Sequence, residues 1–161
     1  MTHRPRSVSY RCLLLAVWTL AAESAVAENS VAEISVKAAI VHKIAKFVSW
    51  PDSRFETSRQ PLRFCVLGNP ATLQAFEKLS NRPIHGRPTL VLPAPEPNAI
   101  SSSCDVLFVD GAQLHSTDLL IKSVKGQPVL TFGGAGEFGG HGSIITMTIR
   151  RNKVRFSIDL D

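Results

Sequence analysis

Apolar positions along the chain recur with two periods, and the switch between them outlines the elements. Val31, Ile34, Ala38, Val41, Ala45 and Val48 follow one another at intervals of three and four, the repeat of an amphipathic helix. Ser30 with Glu33 three residues on supplies a capping box. Pro51 closes the helix, because proline disfavours helical geometry at Trp50. The polar run "DSRFETSRQP" predicts a loop. "LRFCVLG", residues 62–68, is apolar and bounded by proline and glycine, so it predicts a buried strand. Asn69 then caps a second helix with Pro70 at its first position and Leu73, Phe76 and Leu79 on one face.

"NRPIHGRPTLVLP" predicts a turn leading into a strand near residues 88–92, and the prolines of "PAPEP" with Asn98 predict a loop. "CDVLFVD" (104–110) and "PVLTF" are further buried strands. Between them a helix within 111–125 ends at Gly126 with Pro128 beyond. "SIITMTI" and "VRFSIDL", joined by "RRNK", predict a hairpin. In its second strand Val154, Phe156, Ile158 and Leu160 alternate with polar residues, the pattern of a strand solvated on one face or lying at an edge. The sum is a single α/β domain. Its sheet is mostly parallel, is flanked by helices and ends in an antiparallel hairpin.

Composition changes this picture first at the N-terminus. "MTHRPRSVSYR" carries three arginines and no acid, "CLLLAVWTLAA" is apolar, and Ala25, Val26 and Ala27 place small residues before a cleavage point. These are the three parts of a secretory signal peptide, residues 1–27, and the apolar run is too short to span a bilayer. The expected mature chain, 28–161, suits one domain with a core. It has no transmembrane span. Without Arg4, Arg6, Arg11 and Glu23, 15 basic and 12 acidic side chains remain, a net charge of +3. That balance gives little support for nucleic acid as a partner. Cys12 leaves with the signal peptide, so Cys65 and Cys104 remain. In an exported chain an even pair favours a bridge, with two buried thiols as the alternative.

The stretch "TFGGAGEFGGHGSI" (131–144) holds six of the ten glycines, and Gly134, Gly136 and Gly139 fit G-x-G-x-x-G. A dinucleotide fingerprint needs its last glycine to open a helix whose amides hold the pyrophosphate. Here the run leads into the β-branched "SIITMTI", with no helical period. Asp159 lies 20 residues past Gly139, but two strands and a turn fill that interval, and a phosphate-loop lysine is replaced by Gly140. The expectation is a glycine connection needing positive φ and close backbone approach.

No G-x-S-x-G elbow, H-x-x-x-H or C-x-x-C occurs in the mature chain. The chain therefore gives no sign of an enzyme, a cofactor or a metal. His42, His85, His115 and His141 read as surface or loop histidines, and Asp105 and Asp110 bracket a strand with no identifiable partner. Candidate partner contacts are Phe47 and Trp50 at the helix end, where core packing is the alternative, and the hairpin group Arg150, Arg151, Lys153 and Arg155. That basic group reads either as solvated turn charge or as a patch for an acidic partner or anionic lipid. A ligand cleft at the C-terminal ends of the strands would use Gly68, Asn69, Gly134, Gly136, Gly139 and His141.

Taken in order, "VKAAIVHKIAKFVSWP", "LRFCVLGNP", "GRPTLVL", "CDVLFV" and "GQPVLTFGGAGEFGGHGSIITMTIRRNKVRFSIDLD" resemble the YfiR-like family of periplasmic proteins, from Val36 to Leu160. The resemblance implies a small exported α/β protein, often a homodimer and without catalysis. It would bind the periplasmic region of an inner-membrane diguanylate cyclase or sensor and hold the enzyme inactive. It also implies that Cys65 and Cys104 form the structural bridge. Two departures stand out: a second cysteine pair near the glycines is absent, and relatives continue beyond Asp161. If that second pair carries redox sensing, the first implies loss of the switch; the second implies an exposed strand edge, altered dimerisation or a sequence truncated at Asp161.

Overall fold

The computed structural model describes residues 32–110, 117–134, 137–150 and 153–159. Helix α1 covers residues 32–45 and buries Ala38, Val41 and Ala45. The expected cap at Ser30 and the first apolar position, Val31, lie outside the described residues. The helix stops well short of Trp50. The N–H groups of Lys46, Phe47 and Val48 donate to carbonyls three residues back, which tightens the last turn and swings the chain away before proline intervenes.

The polar loop contains one 3₁₀ turn, Asp52–Arg54, and leads to β1 (Leu62–Leu67). Asn69 then caps α2 (Pro70–Glu77): its Oδ1 accepts the Thr72 N–H at 2.9 Å. A tight turn precedes β2 (Thr89–Pro93). Its central residues His85 and Gly86 have φ of 49° and 77°, while Ile84 and Arg87 exchange backbone hydrogen bonds. Two successive left-handed residues are what a two-residue hairpin turn requires.

The proline run hides an element that local reading misses. Pro97 opens helix α3 (Pro97–Ser103) and Ile100 is buried beneath it, so Asn98 is helical and not part of a loop. Proline lacks an N–H, but the first helical turn has no intrahelical use for one. Next come β3 (Val106–Val109), α4 (Thr117–Val124), β4 (Leu130–Gly133), α5 (Glu137–His141), β5 (Ile145–Arg150) and β6 (Lys153–Ile158). Gly126, at φ 70°, stops α4 as its position suggests.

The six strands form one sheet in the order β2-β1-β3-β4-β5-β6. All pairings are parallel except β5 with β6. The α/β reading with its C-terminal hairpin therefore holds. Alternation along each strand separates two cores. Phe64, Val106, Phe108 and Phe132 pack with α1 and α2 on one face. Cys65, Leu107 and Val109 pack with α3, α4 and α5 on the other. Phe76 of α2 stacks on Phe108 with ring centroids 4.6 Å apart, tying that helix to the central strand.

The glycine stretch differs from expectation in two ways. A single helical turn, α5, interrupts it, so β5 does not follow directly. Gly139 is the third residue of that turn, however, and does not open it. Among the described glycines of the stretch, Gly133, Gly139, Gly140 and Gly142 all lie outside the left-handed region. Close approach is what requires Gly133 and Gly139: a Cβ on Gly133 would meet Gly139 Cα at 2.7 Å, and one on Gly139 would collide with the Gly134 carbonyl oxygen.

Candidate partner-binding site

The end of α1 presents the most exposed large apolar side chain described. Phe47 is 89% exposed, and Lys43 and Lys46 beside it are exposed as well. An apolar ring held in water on an ordered turn is a contact waiting for a partner. Trp50, three residues on, behaves differently. It is half-buried against the core, and its Nε1 donates to the Asp105 carbonyl at 3.0 Å. Trp50 anchors the segment from which Phe47 projects.

Asp105 is the hub beneath that anchor. Its carboxylate is fully buried and accepts from Arg54 Nε at 2.7 Å, Arg63 Nη2 at 3.0 Å and the Arg63 backbone N–H at 2.8 Å. The two guanidinium groups also donate to the carbonyls of Ser101, Ser102 and Cys104, which satisfies the C-terminal end of α3. Nothing local in the sequence gives Asp105 or Asp110 a partner. The fold supplies Arg54 and Arg63 for the first, and Thr72 Oγ1, 2.9 Å from Oδ2, for the second.

Adjacent to this hub, Cys65 and Cys104 form a disulfide with a Cα–Cα separation of 5.6 Å. The bridge joins β1 to the start of β3, so the α1–β1 loop, the α3 terminus and the central strands meet at one place.

A cavity of about 300 Å³ opens beside Trp50, lined by Ser49, Phe55, Ile84, His85 and Arg87 among others. The Arg87 guanidinium lies 3.8 Å from the Phe55 ring centroid and donates to the Thr57 carbonyl at 2.7 Å, which fixes the cavity's cationic wall. His85 Nε2 sits 3.1 Å from the Val48 carbonyl. A second cavity, about 340 Å³, lies under α4 among Ile121, Val129, Thr131, Ser143 and Asp159. Both open near the amino-terminal ends of the strands.

His42 is not the surface histidine expected. It is buried on α1 and its Nε2 has no hydrogen-bond partner. Burial, then the positive charge of Lys46, hold its pKa below the usual histidine value, with the Arg82 backbone hydrogen bond acting against them. His85 is exposed, as expected. His115 lies outside the described residues, and His141 is the last residue of α5.

Among the described residues, three of the predicted cleft positions are closely packed. A Cβ on Gly68 would meet Thr72 Cγ2 at 2.9 Å, Asn69 is engaged in its cap, and Gly139 is packed on Gly134. Gly136 lies outside the described residues. The two groups of partner candidates are also kept apart. Phe47 and Trp50 sit near the amino ends of β1 and β3. Arg150, Lys153 and Arg155 are all exposed around the turn at the carboxyl end of β5, on the sheet's far edge. Arg151 lies outside the described residues.

No helix among the described residues is long and apolar enough to cross a membrane. No curated protein matches the chain. The sequence model of a family described as YfiR/HmsC-like matches residues 34–161. That span takes in the exposed Phe47, the Asp105 hub, the disulfide and the whole sheet, and on this evidence the chain belongs to the YfiR/HmsC-like family.

Proposed function

We propose that the protein is an exported regulator that binds the periplasmic region of an inner-membrane diguanylate cyclase and lowers cyclic-di-GMP. The observation that carries this is the family match across the full α/β domain, in a family known for periplasmic regulators of such cyclases. Binding, not catalysis, is the mode of action. A regulator that binds one conformation of its partner more tightly shifts the population toward it. Phe47 is the proposed contact. It projects from a segment pinned by Trp50 to Asp105, so little ordering entropy opposes docking. Lys43 and Lys46 would favour an acidic surface on the partner.

The test is cyclic-di-GMP measured in cells that carry or lack the gene, complemented with wild type or Phe47→Asp. Deletion should raise the nucleotide, wild type should restore it and Phe47→Asp should not. Unchanged cyclic-di-GMP on deletion, with no cyclase recovered from envelope membranes, would sink the reading.

A second reading has one observation in its favour. Strand order reverses between β1 and β3, the place where open α/β sheets bind ligands, and Asn69, Thr72 and Asp110 converge there. Thermal-shift screening against small anions and metabolites tests it, and a flat screen counts against it.

A further inference from the structure

We infer that the β5–β6 ribbon docks the protein on an anionic phospholipid bilayer, with the outer strand β6 lying along the headgroups. The ribbon stands partly clear of the sheet it closes. β4 pairs with β5 through Ile145 and Thr146 alone, so beyond those residues β5 and β6 pair with each other only. Residues directly opposite across an antiparallel pair share a face. One face carries Thr148 with Arg155 and Arg150 with Lys153. The other carries Ile145 with Ile158, Met147 with Phe156 and Ile149 with Val154. The ribbon is amphipathic, with three cations on one side and an apolar row on the other.

Charge on the first face is unbalanced. Arg150 and Lys153 are exposed and directly opposed, a like-charge juxtaposition that destabilises the bare ribbon. Arg155, also exposed, lies two residues further along β6. None of the three side chains has a hydrogen-bond or ion-pair partner among the described residues. The sequence has no acid from Phe138 to Ile158. Phosphate groups relieve that repulsion. The second face adds what charge does not use: Phe156 is 57% and Ile158 60% exposed. Because the two sets lie on opposite sides of one strand, a rigid surface that meets one turns away from the other. A lipid interface yields around an embedded strand and meets both.

With β6 toward the lipid, Lys153 and Arg155 flank the strand on one side and Val154, Phe156 and Ile158 on the other. Paired strands lie about 4.8 Å apart, within the reach of an arginine side chain. Arg150 on β5 therefore joins the same phosphate layer by extending past β6. The outer amides of β6 meet hydrated headgroups, where water satisfies them. Interfacial binding sums buried apolar area with attraction to anionic lipid, and each Lys or Arg at such a surface contributes roughly fivefold. A cyclase partner would hold the protein beside such a membrane, and in that respect alone the docking rests on the regulatory reading.

Purified protein lacking residues 1–27 tests the inference without any cyclase, so its failure is separable from failure of the regulatory reading. In flotation, vesicles of phosphatidylglycerol and phosphatidylethanolamine should carry the protein up, and vesicles of phosphatidylcholine should not. Rising salt should release it. Arg150→Ser with Lys153→Ser should lower partition roughly 25-fold. Lys122→Ser with Lys125→Ser removes as much charge from the last turns of α4 and should have little effect. All four side chains are exposed, so melting curves should not move. Phe156→Trp should bind as wild type does and shift its emission to the blue on phosphatidylglycerol vesicles, against wild type, in which Trp50 alone emits. Partition into neutral vesicles, an Arg150 and Lys153 double variant that binds no worse than the α4 variant, or a Phe156→Trp emission unmoved by lipid would overturn the inference. So would capture by soluble polyphosphate as strong as by the vesicles, since that needs no apolar face.

Discussion

Replacing Asp105 by asparagine keeps the side chain's shape and removes its charge, isolating the electrostatic role of the hub. The wild-type carboxylate is fully buried, and the Arg54 and Arg63 side chains are only 12% and 20% exposed. Neither guanidinium can recover much hydration when its counter-charge goes. The asparagine amide also turns a donor toward donors. Breaking a buried pair by removing one partner costs about 3–5 kcal/mol, and the slight exposure of both arginines places this case near 3. A domain of this size has about 5–15 kcal/mol in total, so the variant loses a large share of its stability. In protein lacking residues 1–27, Trp50 is the only tryptophan. Because its Nε1 bonds to the Asp105 carbonyl, urea unfolding followed by its fluorescence reports on the hub directly. Adding Arg54→Met to Asp105→Asn should cost little more, since it removes an unpaired charge. A loss below about 1 kcal/mol for Asp105→Asn would show that these ion pairs behave as surface contacts do, and the hub argument would fall.

The disulfide closes a loop of sequence separation 39, which the chain-entropy model values at roughly 4 kcal/mol. Cys65→Ala should lower stability by about that amount in denaturant titration, and wild type under reductant should match the variant. Gly139→Ala forces a methyl into the Gly134 carbonyl and should cost about 1–3 kcal/mol, whereas Gly140→Ala meets nothing within 4 Å and should be tolerated. Equal melting temperatures for the two would remove the close-packing account of the glycine stretch. His42 has a lowered pKa in the folded state, so the unfolded chain binds its proton more readily. Its contribution is complete above the unfolded value near 6.5 and is lost as pH falls below it toward the folded pKa. His42→Gln should flatten the stability–pH profile in that window, and an unchanged slope would show that another group governs it.

Periodicity revealed α1, α2, the parallel strands and the hairpin, because each follows from local alternation or helical spacing. It could not reveal what joins them. Arg54 lies in a polar loop 51 residues from Asp105, and Arg63 lies 42 residues away. Nothing local marks either as the counter-charge of a buried acid. α3 was masked by the prolines that begin it, since the same residues serve a loop and a first helical turn. His42 had a readable signal. It stands four residues after Ala38 and next to Val41, on the buried stripe of α1, where only its polarity argued for the surface. For β6, alternation correctly marked an edge but not that its apolar face would be left open. That depends on α1 and α2 covering the sheet only as far as β5, a property of layer width that no strand carries in its own residues.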